Sequence, residues 1–269
     1  MPKGDYAKEK SELDKKNRIG LKKYNNQNCL MKIIEYNNAI DIVVEFQDKY
    51  KAKVHARYGC FLDGSIKNPY YSSVLEVGML GDKYPSKINN KNTKEYKAWK
   101  NILVRCYDKK CQNKHPTYQD ATCCEEWLLF EDFYEWLHKQ PNFDKWFNGE
   151  RWAVDKDILN KGNKVYSPEN CCLVPQKVNG LFAKSDAARG DYPIGVAKVN
   201  SGYMARCKNP FTNVMEYLGV YTTPEKAFLA YKKYKEKAIK QMAQEEYDNG
   251  NITKECYEAM MNYKVEITD

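Results

Sequence analysis

Histidine is the least common residue in this sequence. Only three occur in 269 residues, His55, His115 and His138, and none follows residue 138. Because histidine is the side chain whose ordinary pKa lies near neutrality, this scarcity limits acid–base catalysis in the second half of the chain. The sequence also has no glycine-rich phosphate loop, no Ser-His-Asp set and no Cys-His pair. It therefore lacks the patterns of P-loop enzymes and of serine or cysteine hydrolases.

Long hydrophobic runs are also missing. No apolar run approaches the roughly 18 residues of a membrane-spanning helix, and the mean hydropathy is −0.80. The opening segment MPKGDYAKEKSELDKK contains no apolar signal-peptide core. We therefore expect neither membrane insertion nor export. We expect the ten cysteines to be reduced thiols or metal ligands and not disulfides.

The composition is that of a folded protein with several small domains. Apolar residues make up 42% and aromatic residues 13% of the chain, enough to bury real cores. At about 150 residues per domain, the length predicts two or three domains. Periodicity predicts an α+β fold. Its predicted segments are a charged flexible arm (1–18), a small antiparallel β-barrel-like unit (19–90), a helical region with a ββα core (91–190), a βββα domain (191–243) and an acidic C-terminal helix or tail (244–269).

Local patterns predict the main elements of these segments. Three runs rich in β-branched residues between Cys29 and Asn68 predict strands. Apolar residues at helical spacing predict one helix over about 93–107 and another over about 125–138. A last helix is predicted to start at Thr223, a good N-cap, and to end near Ala243.

Charge is distributed unevenly along the C-terminal third. Residues 184–243 hold 11 lysines and arginines against 5 aspartates and glutamates, and residues 244–269 hold 2 against 7. The overall net charge of +8 therefore contains a basic βββα segment followed by an acidic tail. Five lysines of the last helix either contact an anionic partner or only solvate a helix face: Lys232, Lys233, Lys235, Lys237 and Lys240.

Residues 152–182 have the order strand, turn, strand, helix. Asp155 and Lys156 end the first strand, Asn170 lies 14 residues beyond Lys156, and Asn179 lies 9 residues beyond Asn170. This spacing resembles the ββα-metal core of HNH nucleases, in the form found in phage-encoded proteins. The resemblance implies that Asp155 and Asn179 hold a divalent metal such as Mg²⁺. It also implies that Asn170 orients the general base at position 156.

The sequence departs from the HNH pattern at that general base, where Lys156 replaces histidine. An unperturbed lysine has a pKa of about 10.4, and lowering it to about 7 would cost roughly 4–5 kcal/mol. The neighbouring Asp155 and Asp157 favour the protonated form. We therefore expect a degenerate core that does not act as an efficient enzyme, although a bound metal could still acidify water and support slow cleavage.

Residues 192–243 have the order of three strands followed by a helix. Gly195-Val196 opens the first strand, Tyr217-Leu218-Gly219 lies in the third, and a Thr-Pro pair starts the helix. The combination resembles the Apetala-type (ethylene-response-factor, integrase-like) DNA-binding domain. The resemblance implies a three-stranded sheet in the major groove of double-stranded DNA, with Arg206 as the best candidate for a base contact. The candidate DNA-binding residues on the exposed face are Lys198, Met204, Arg206 and Lys208.

Four cysteines form the pattern C-x4-C-x11-C-C, at Cys106, Cys111, Cys123 and Cys124. Four thiolates can hold a structural zinc, but the usual spacing is a pair of C-x2-C motifs. Buried thiols on two packed helices are therefore the favoured interpretation, and structural zinc is disfavoured.

From about residue 29 onward, the whole arrangement is similar to one type of phage protein usually labelled an HNH endonuclease or a DNA-binding protein. Three functions are open, of which a counter-defence role is motivated by the replaced histidine, the charged arm, the acidic tail and the 22 tyrosines. The favoured one is binding of double-stranded DNA through the basic βββα domain beside a degenerate nuclease core. The alternatives are a counter-defence protein that inhibits a bacterial nuclease-containing defence complex, and an active metal-dependent homing or nicking endonuclease. Each implies the cytoplasm of an infected bacterial host, and none sets the oligomeric state.

Overall fold

A computed structural model describes residues 12–13, 15–182 and 191–268. Helices and mostly antiparallel sheets alternate along the chain, so the fold class is α+β, as predicted. The strands are β1 (Lys22–Tyr24), β2 (Leu30–Asn38), β3 (Asp41–Phe46), β4 (Lys53–Ala56), β5 (Lys87–Ile88), β6 (Lys91–Asn92), β7 (Thr122–Cys123), β8 (Trp152–Asp155), β9 (Val165–Tyr166), β10 (Cys172–Pro175), β11 (Val196–Val199), β12 (Gly202–Lys208) and β13 (Met215–Tyr221). Residues 12–13 and 15–18 are helical, and the α-helices beyond them are α1 (Tyr58–Asp63), α2 (Lys94–Tyr107), α3 (Lys109–Lys114), α4 (Phe130–His138), α5 (Phe143–Phe147), α6 (Gln176–Phe182), α7 (Pro224–Asp248) and α8 (Lys254–Asn262).

The chain divides into two compact units. The first unit is Met1–Lys110 with Glu125–Tyr134, and the second is Cys111–Cys124 with Glu135–Asp269. Residues 1–11 and 14 of the predicted arm lie outside the described residues. In the described parts of the chain, no helix has the length and apolar character needed to cross a membrane.

The first unit contains a four-stranded antiparallel sheet in the order β1-β2-β3-β4. The strands predicted between Cys29 and Asn68 are confirmed as β2, β3 and β4, and β1 adds an edge strand that the pattern does not predict. Alternate side chains of β2 and β3 point into one core, as period-2 patterning requires. The fully buried members are Met31, Ile33, Ile42, Val44 and Phe46.

The first unit also contains α2, which confirms the helix predicted over 93–107. Thr93 caps it, since the Thr93 hydroxyl accepts a hydrogen bond from the backbone N–H of Tyr96. Trp99 lies fully buried on this helix and its Nε1 donates to the carbonyl of Trp127 at 2.7 Å. Gly78 lies so close to Trp99 that an added Cβ would lie 2.8 Å from the indole ring.

The prediction of one helix over 125–138 is wrong at its start. A 3₁₀ turn covers Glu126–Leu128, and α4 begins only at Phe130. The interruption lies at Leu129, whose backbone is extended and forms a parallel bridge with Met79. A strand-like contact from a distant segment therefore overrides the local helical pattern.

In the second unit, the ββα and βββα segments share one hydrophobic core. Strands β8 and β10 pair antiparallel from Asp155↔Cys172 to Trp152↔Pro175, and α6 follows β10 directly. Strands β11, β12 and β13 form an antiparallel sheet against which α7 packs. The core draws on both segments and on the C-terminal residues; its members include Val174, Val178, Cys207, Phe228, Tyr231, Met242, Cys256 and Val265.

The last long helix starts where predicted, with Thr223 as N-cap and Pro224 at the first position. Its predicted end near Ala243 is wrong, because α7 continues to Asp248. The extension carries Glu246, which is fully buried and whose carboxylate lies 2.5 Å from the Lys177 ammonium of α6.

Candidate functional site

Asp155 ends strand β8 and caps the turn that follows it. Its Oδ1 accepts hydrogen bonds from the backbone N–H groups of Asp157 at 2.7 Å and of Ile158 at 2.9 Å. Burial is the largest influence on this carboxyl group and raises its pKa above the usual value, while the two backbone hydrogen bonds act in the opposite direction. Asp155 therefore stabilises the backbone turn that follows β8.

Lys156, at the predicted general-base position, closes the loop between β8 and β9. Its side chain is 7% exposed, and its Nζ donates to Asp157 Oδ1 and to the Asn163 carbonyl, both at 2.7 Å. In return, Asn163 Nδ2 donates to the Lys156 carbonyl at 2.9 Å. The ammonium is thus engaged with acceptors of its own loop, and this arrangement does not present a free lone pair to a water molecule.

Asn170 bonds to the two loops that flank β9. Its Oδ1 accepts from Asn160 Nδ2 at 2.8 Å, and its Nδ2 donates to Ser167 Oγ at 3.0 Å. The role implied for Asn170, orienting a base at position 156, is therefore not visible in these contacts. Asn179 is half-buried on α6, and its side chain makes no hydrogen bond among the described residues.

The donor set around Asp155 fits a divalent metal poorly. Asp155 Oδ1 already accepts two backbone N–H groups, and the adjacent ammonium of Lys156 repels a cation. Within the part of the chain that the structure describes, no three histidine, cysteine, aspartate or glutamate side chains are grouped so that they could hold a metal ion. The Mg²⁺ site at Asp155 and Asn179 stays a prediction of the resemblance.

Replacing Asp155 with asparagine separates a turn cap from a metal ligand. Asparagine keeps the Oδ1 acceptor and removes a buried charge, so we expect Asp155→Asn to be at least as stable as wild type at pH 7. Its advantage should shrink as the pH falls through the pKa of the folded carboxyl group, because protonation relieves the wild type of the same cost. Asp155→Ala should lose about 2 kcal/mol, since two N–H groups lose their acceptor.

Thermal unfolding over a pH series, with and without millimolar Mg²⁺ or Mn²⁺, measures both effects. A metal-dependent rise in the wild-type Tm that Asp155→Asn lacks, together with a loss of stability in that variant, would contradict the turn-cap role.

The four cysteines of the zinc pattern fall in different units. Cys106 belongs to the first unit, and Cys111, Cys123 and Cys124 belong to the second. Cys123 is buried on β7 and the next residue, Cys124, is partly exposed, as expected for neighbouring residues on an extended segment.

The outer face of the β11–β13 sheet brings three of the four predicted DNA-binding residues together. Arg206 and Lys208 are exposed on β12, with Met204 half-buried two residues earlier. The register places their cross-strand partners on the same face. These pairs are Met204↔Val220, Arg206↔Tyr217 and Lys208↔Met215.

Lys198 does not belong to this outer face. It pairs in register with Tyr203, and its Nζ lies 4.1 Å from the centroid of that ring. Val196, two residues earlier and therefore on the same face of β11, packs against the core. Lys198 thus lies on the helix side of the sheet, which corrects its assignment to the exposed face with Arg206 and Lys208.

Sequence reasoning missed the contribution of β13 to the outer face. Tyr217 is 66% exposed and Met215 is 55% exposed. The sequence of β13, MEYLGVY, has no alternation of polar and apolar residues that would mark its outward side. The sheet therefore presents two cations among large, exposed apolar side chains.

A hydrogen-bonded loop joins β12 to β13 and extends the same apolar character. Asn209 Oδ1 accepts from the N–H of Phe211 at 2.9 Å, and the N–H of Asn209 donates to the carbonyl of Val214 at 2.8 Å. Phe211 and Val214 remain exposed on this loop. The loop holds two apolar side chains in solvent on an ordered backbone.

The five lysines of α7, predicted either to contact an anionic partner or only to solvate a helix face, differ in their surroundings. Lys232 Nζ donates to the Val265 carbonyl at 2.7 Å, so this lysine has an intramolecular role. Lys235 and Lys240 are half-buried, and burial lowers the pKa of Lys235. Lys233 and Lys237 are exposed.

No family model, no curated protein and no solved structure matches this chain.

Proposed function

We propose that this protein binds double-stranded DNA through the outer face of the β11–β13 sheet. The main support for the proposal is the set of side chains on that face. Arg206 and Lys208 lie on neighbouring outward positions of β12, beside the exposed ring of Tyr217. No residue of β11, β12 or β13 places a carboxylate there, since Glu216 pairs with the inward-facing Cys207. A surface with cations, aromatic area and no acid suits a nucleic acid.

The dimensions of the sheet support a fit to the major groove. Three strands spaced about 4.8 Å apart span roughly 10 Å, and the major groove of B-DNA is about 12 Å wide. The planar guanidinium of Arg206 can donate two hydrogen bonds to O6 and N7 of guanine. Lys208, as a compact point charge, suits a phosphate.

The backbone at Arg206 supports the same assignment. Ala205 pairs with Gly219 and Arg206 with Tyr217, so Leu218 is an extra residue that forms a bulge in β13 opposite Arg206, and such bulges re-aim side chains of the strand that carries them. The Arg206 N–H donates to the carbonyl of Gly195, the residue before β11, at 2.9 Å, and this bond holds the backbone of Arg206. On the other face of the sheet, Ala205 and Cys207 are buried beneath α7.

Binding to a duplex selected from a random-sequence pool, measured by fluorescence anisotropy over a salt series, tests the proposal. Arg206→Ala should lose about 1–3 kcal/mol, or roughly 5- to 150-fold in affinity, on the selected sequence. Lys208→Ala should weaken binding to all sequences and reduce the salt slope by about 1. Lys198→Ala, on the opposite face, is the matched control and should bind like wild type.

Two results would contradict this assignment. One is wild-type binding that does not change between about 50 and 200 mM salt. The other is an equal loss of affinity in Arg206→Ala and Lys198→Ala.

Inhibition of a bacterial defence complex is a second candidate function, and the apolar part of the outer face favours it. Tyr217, Met215 and Val220 are exposed on β13, and aromatic and methionine side chains are enriched in protein interfaces. An activity assay on a purified nuclease-containing defence complex tests this candidate. Inhibition that Tyr217→Ala abolishes and Arg206→Ala retains would assign the face to a protein partner.

Cleavage of DNA, the third function implied by the resemblance, is not part of this proposal. The Lys156 ammonium is engaged within its own loop. An assay on supercoiled DNA with Mg²⁺ or Mn²⁺ tests cleavage directly. Cutting by wild type that Asp155→Ala abolishes would establish the endonuclease.

A further inference from the structure

The first unit carries a concentration of positive charge that the proposed function does not use. Residues 83–101 contain six lysines and a single acidic residue, Glu95. Glu95 is only 5% exposed, while all six lysines are exposed. The surface formed by this segment therefore has charge of one sign. We call it the lysine surface and define it by Lys87, Lys91, Lys97 and Lys100.

Two of these lysines lie on a short hairpin. Strands β5 and β6 pair as Lys87↔Asn92 and Ile88↔Lys91. Asn89 and Asn90 form the turn with φ values of 50° and 60°, the left-handed geometry that two-residue hairpins require. Asparagine tolerates this geometry better than most residues. Because cross-strand partners share a face and neighbouring residues alternate, Lys87 and Lys91 project from opposite faces of this hairpin.

The other two lysines lie on the solvent side of α2. At about 100° per residue, Lys94, Lys97 and Lys100 occupy one face of the helix. The buried residues Trp99 and Leu103 lie on the opposite face. At about 1.5 Å per residue, the three lysines form a row roughly 9 Å long.

The hairpin lies beside the start of α2. The Thr93 N–H donates to the Ser86 carbonyl at 3.0 Å, which fastens the base of the hairpin to the first turn of α2. The N-terminus of a helix carries a partial positive charge, so the lysines add to a potential of their own sign. These positive charges repel one another in the free protein and attract a polyanion.

The four lysines that define this surface are not neutralised by the residues that the structure describes. Among the described residues, the side chains of Lys87, Lys91, Lys97 and Lys100 make no ion pair and no hydrogen bond. We infer that the lysine surface is a second nucleic-acid contact, which binds the phosphate backbone of duplex DNA without regard to sequence. A DNA duplex carries one charge per about 1.7 Å of its axis, so Lys97 and Lys100, about 4.5 Å apart along the helix axis, can reach more than one phosphate. Lysine suits this role because it contacts phosphate as a point charge and does not read base edges.

The test compares two quadruple variants of the full chain on random-sequence duplex DNA. The first replaces Lys87, Lys91, Lys97 and Lys100 with glutamine. The matched control makes the same change in the net charge of the same unit, at the exposed lysines Lys22, Lys51, Lys53 and Lys67. Thermal unfolding of both variants shows that each is folded. Fluorescence anisotropy over a salt series gives the affinity and its salt slope.

We expect the first variant to lose at least about tenfold in affinity and to lower the salt slope by about 0.9 for each lost contact. The control should change both quantities much less. An equal loss in the two variants, or no loss in the first, would overturn the inference. So would binding to phosphatidylserine vesicles that the first variant loses while its DNA binding is unchanged.

A further variant in the same experiment distinguishes a failure of this inference from a failure of the proposed function. The double variant Arg206→Ala and Lys208→Ala removes the cations of the sheet and leaves the lysine surface intact. Residual binding to random DNA in that variant, abolished by adding the four glutamines, supports the lysine surface. If the sheet variant retains full affinity and preference for the selected sequence, the lysine surface stands and the proposed function falls.

Discussion

Replacing Gly195 with alanine is expected to destabilise the second unit by about 3–5 kcal/mol. Gly195 adopts φ +76°, a left-handed conformation that alanine adopts only with strain. An added Cβ would lie 2.0 Å from Cδ2 of Tyr231, far inside contact distance. Tyr231 is buried in the core, so its ring cannot move aside without disturbing its neighbours. Backbone strain and overpacking therefore add at this position.

The same substitution should impair DNA binding, because the Gly195 carbonyl accepts the N–H of Arg206. Chemical denaturation followed by circular dichroism measures the stability, and anisotropy measures the binding. Gly180→Ala is the matched control. Gly180 lies within α6, and its added Cβ would meet no atom within 4 Å. Alanine should be neutral or stabilising there, since glycine disfavours helices by up to about 1 kcal/mol. A midpoint for Gly195→Ala equal to that of wild type would contradict the packing described for this glycine.

The sequence predicted the start of the last helix but not its end, for a physical reason. Thr223 and Pro224 act within one helical turn, so a local pattern reveals them. The end depends on Glu246, which is fully buried and paired with Lys177 of α6. That pairing joins residues far apart in the chain, and no local pattern contains it.

The candidate DNA-binding face was predictable to a similar extent. Alternation within β12 places Met204, Arg206 and Lys208 on one side without knowledge of any partner strand. Lys198 lies on another strand, and its side of the sheet depends on the register between β11 and β12. Register is a property of pairing, so alternation within one strand could not assign Lys198.

In the ββα segment, the sequence motif predicts the order of elements but not the contacts of the side chains. The order strand, turn, strand, helix is predicted from the sequence, and β8, β10 and α6 are present in that order. The spacing does not reveal what the side chains contact. Lys156 donates to the carbonyl of Asn163, seven residues further on, and that bond depends on the conformation of the intervening loop.

Removing the carboxylate of Glu131 is expected to cause a large loss of stability in the first unit. Glu131 is 1% exposed, and its Oε1 accepts the backbone N–H groups of Asp82 and Lys83, both at 2.6 Å. Its Oε2 accepts from the Tyr70 hydroxyl at 3.3 Å. Gly81 is required beside it, since an added Cβ would lie 2.2 Å from the carboxyl carbon. The loop therefore wraps closely around a buried carboxylate.

Glu131→Ala should cost the first unit about 3–5 kcal/mol, because hydrogen bonds to a charged group contribute about 1.5–3 kcal/mol each and two N–H groups lose their partner. Glu131→Gln keeps the Oε1 acceptor and should cost only part of this. Glu126→Ala, at an exposed carboxylate, is the control with the same change in charge. Native-state hydrogen exchange at the amides of Asp82 and Lys83 measures the effect locally, and unchanged protection in Glu131→Ala would contradict it.

The consequence of Glu131 for binding follows from the position of Lys83, four residues before the β5–β6 hairpin. A loosened loop at Lys83 lets the hairpin move relative to α2, and a moving lysine loses more freedom when it contacts a phosphate. Glu131→Ala should therefore weaken binding to random DNA without changing the number of lysines, leaving the salt slope close to that of wild type. The quadruple glutamine variant should lower both affinity and slope, since it removes the charges themselves. Measuring the two variants side by side thus separates the positioning of the lysine surface from its charge.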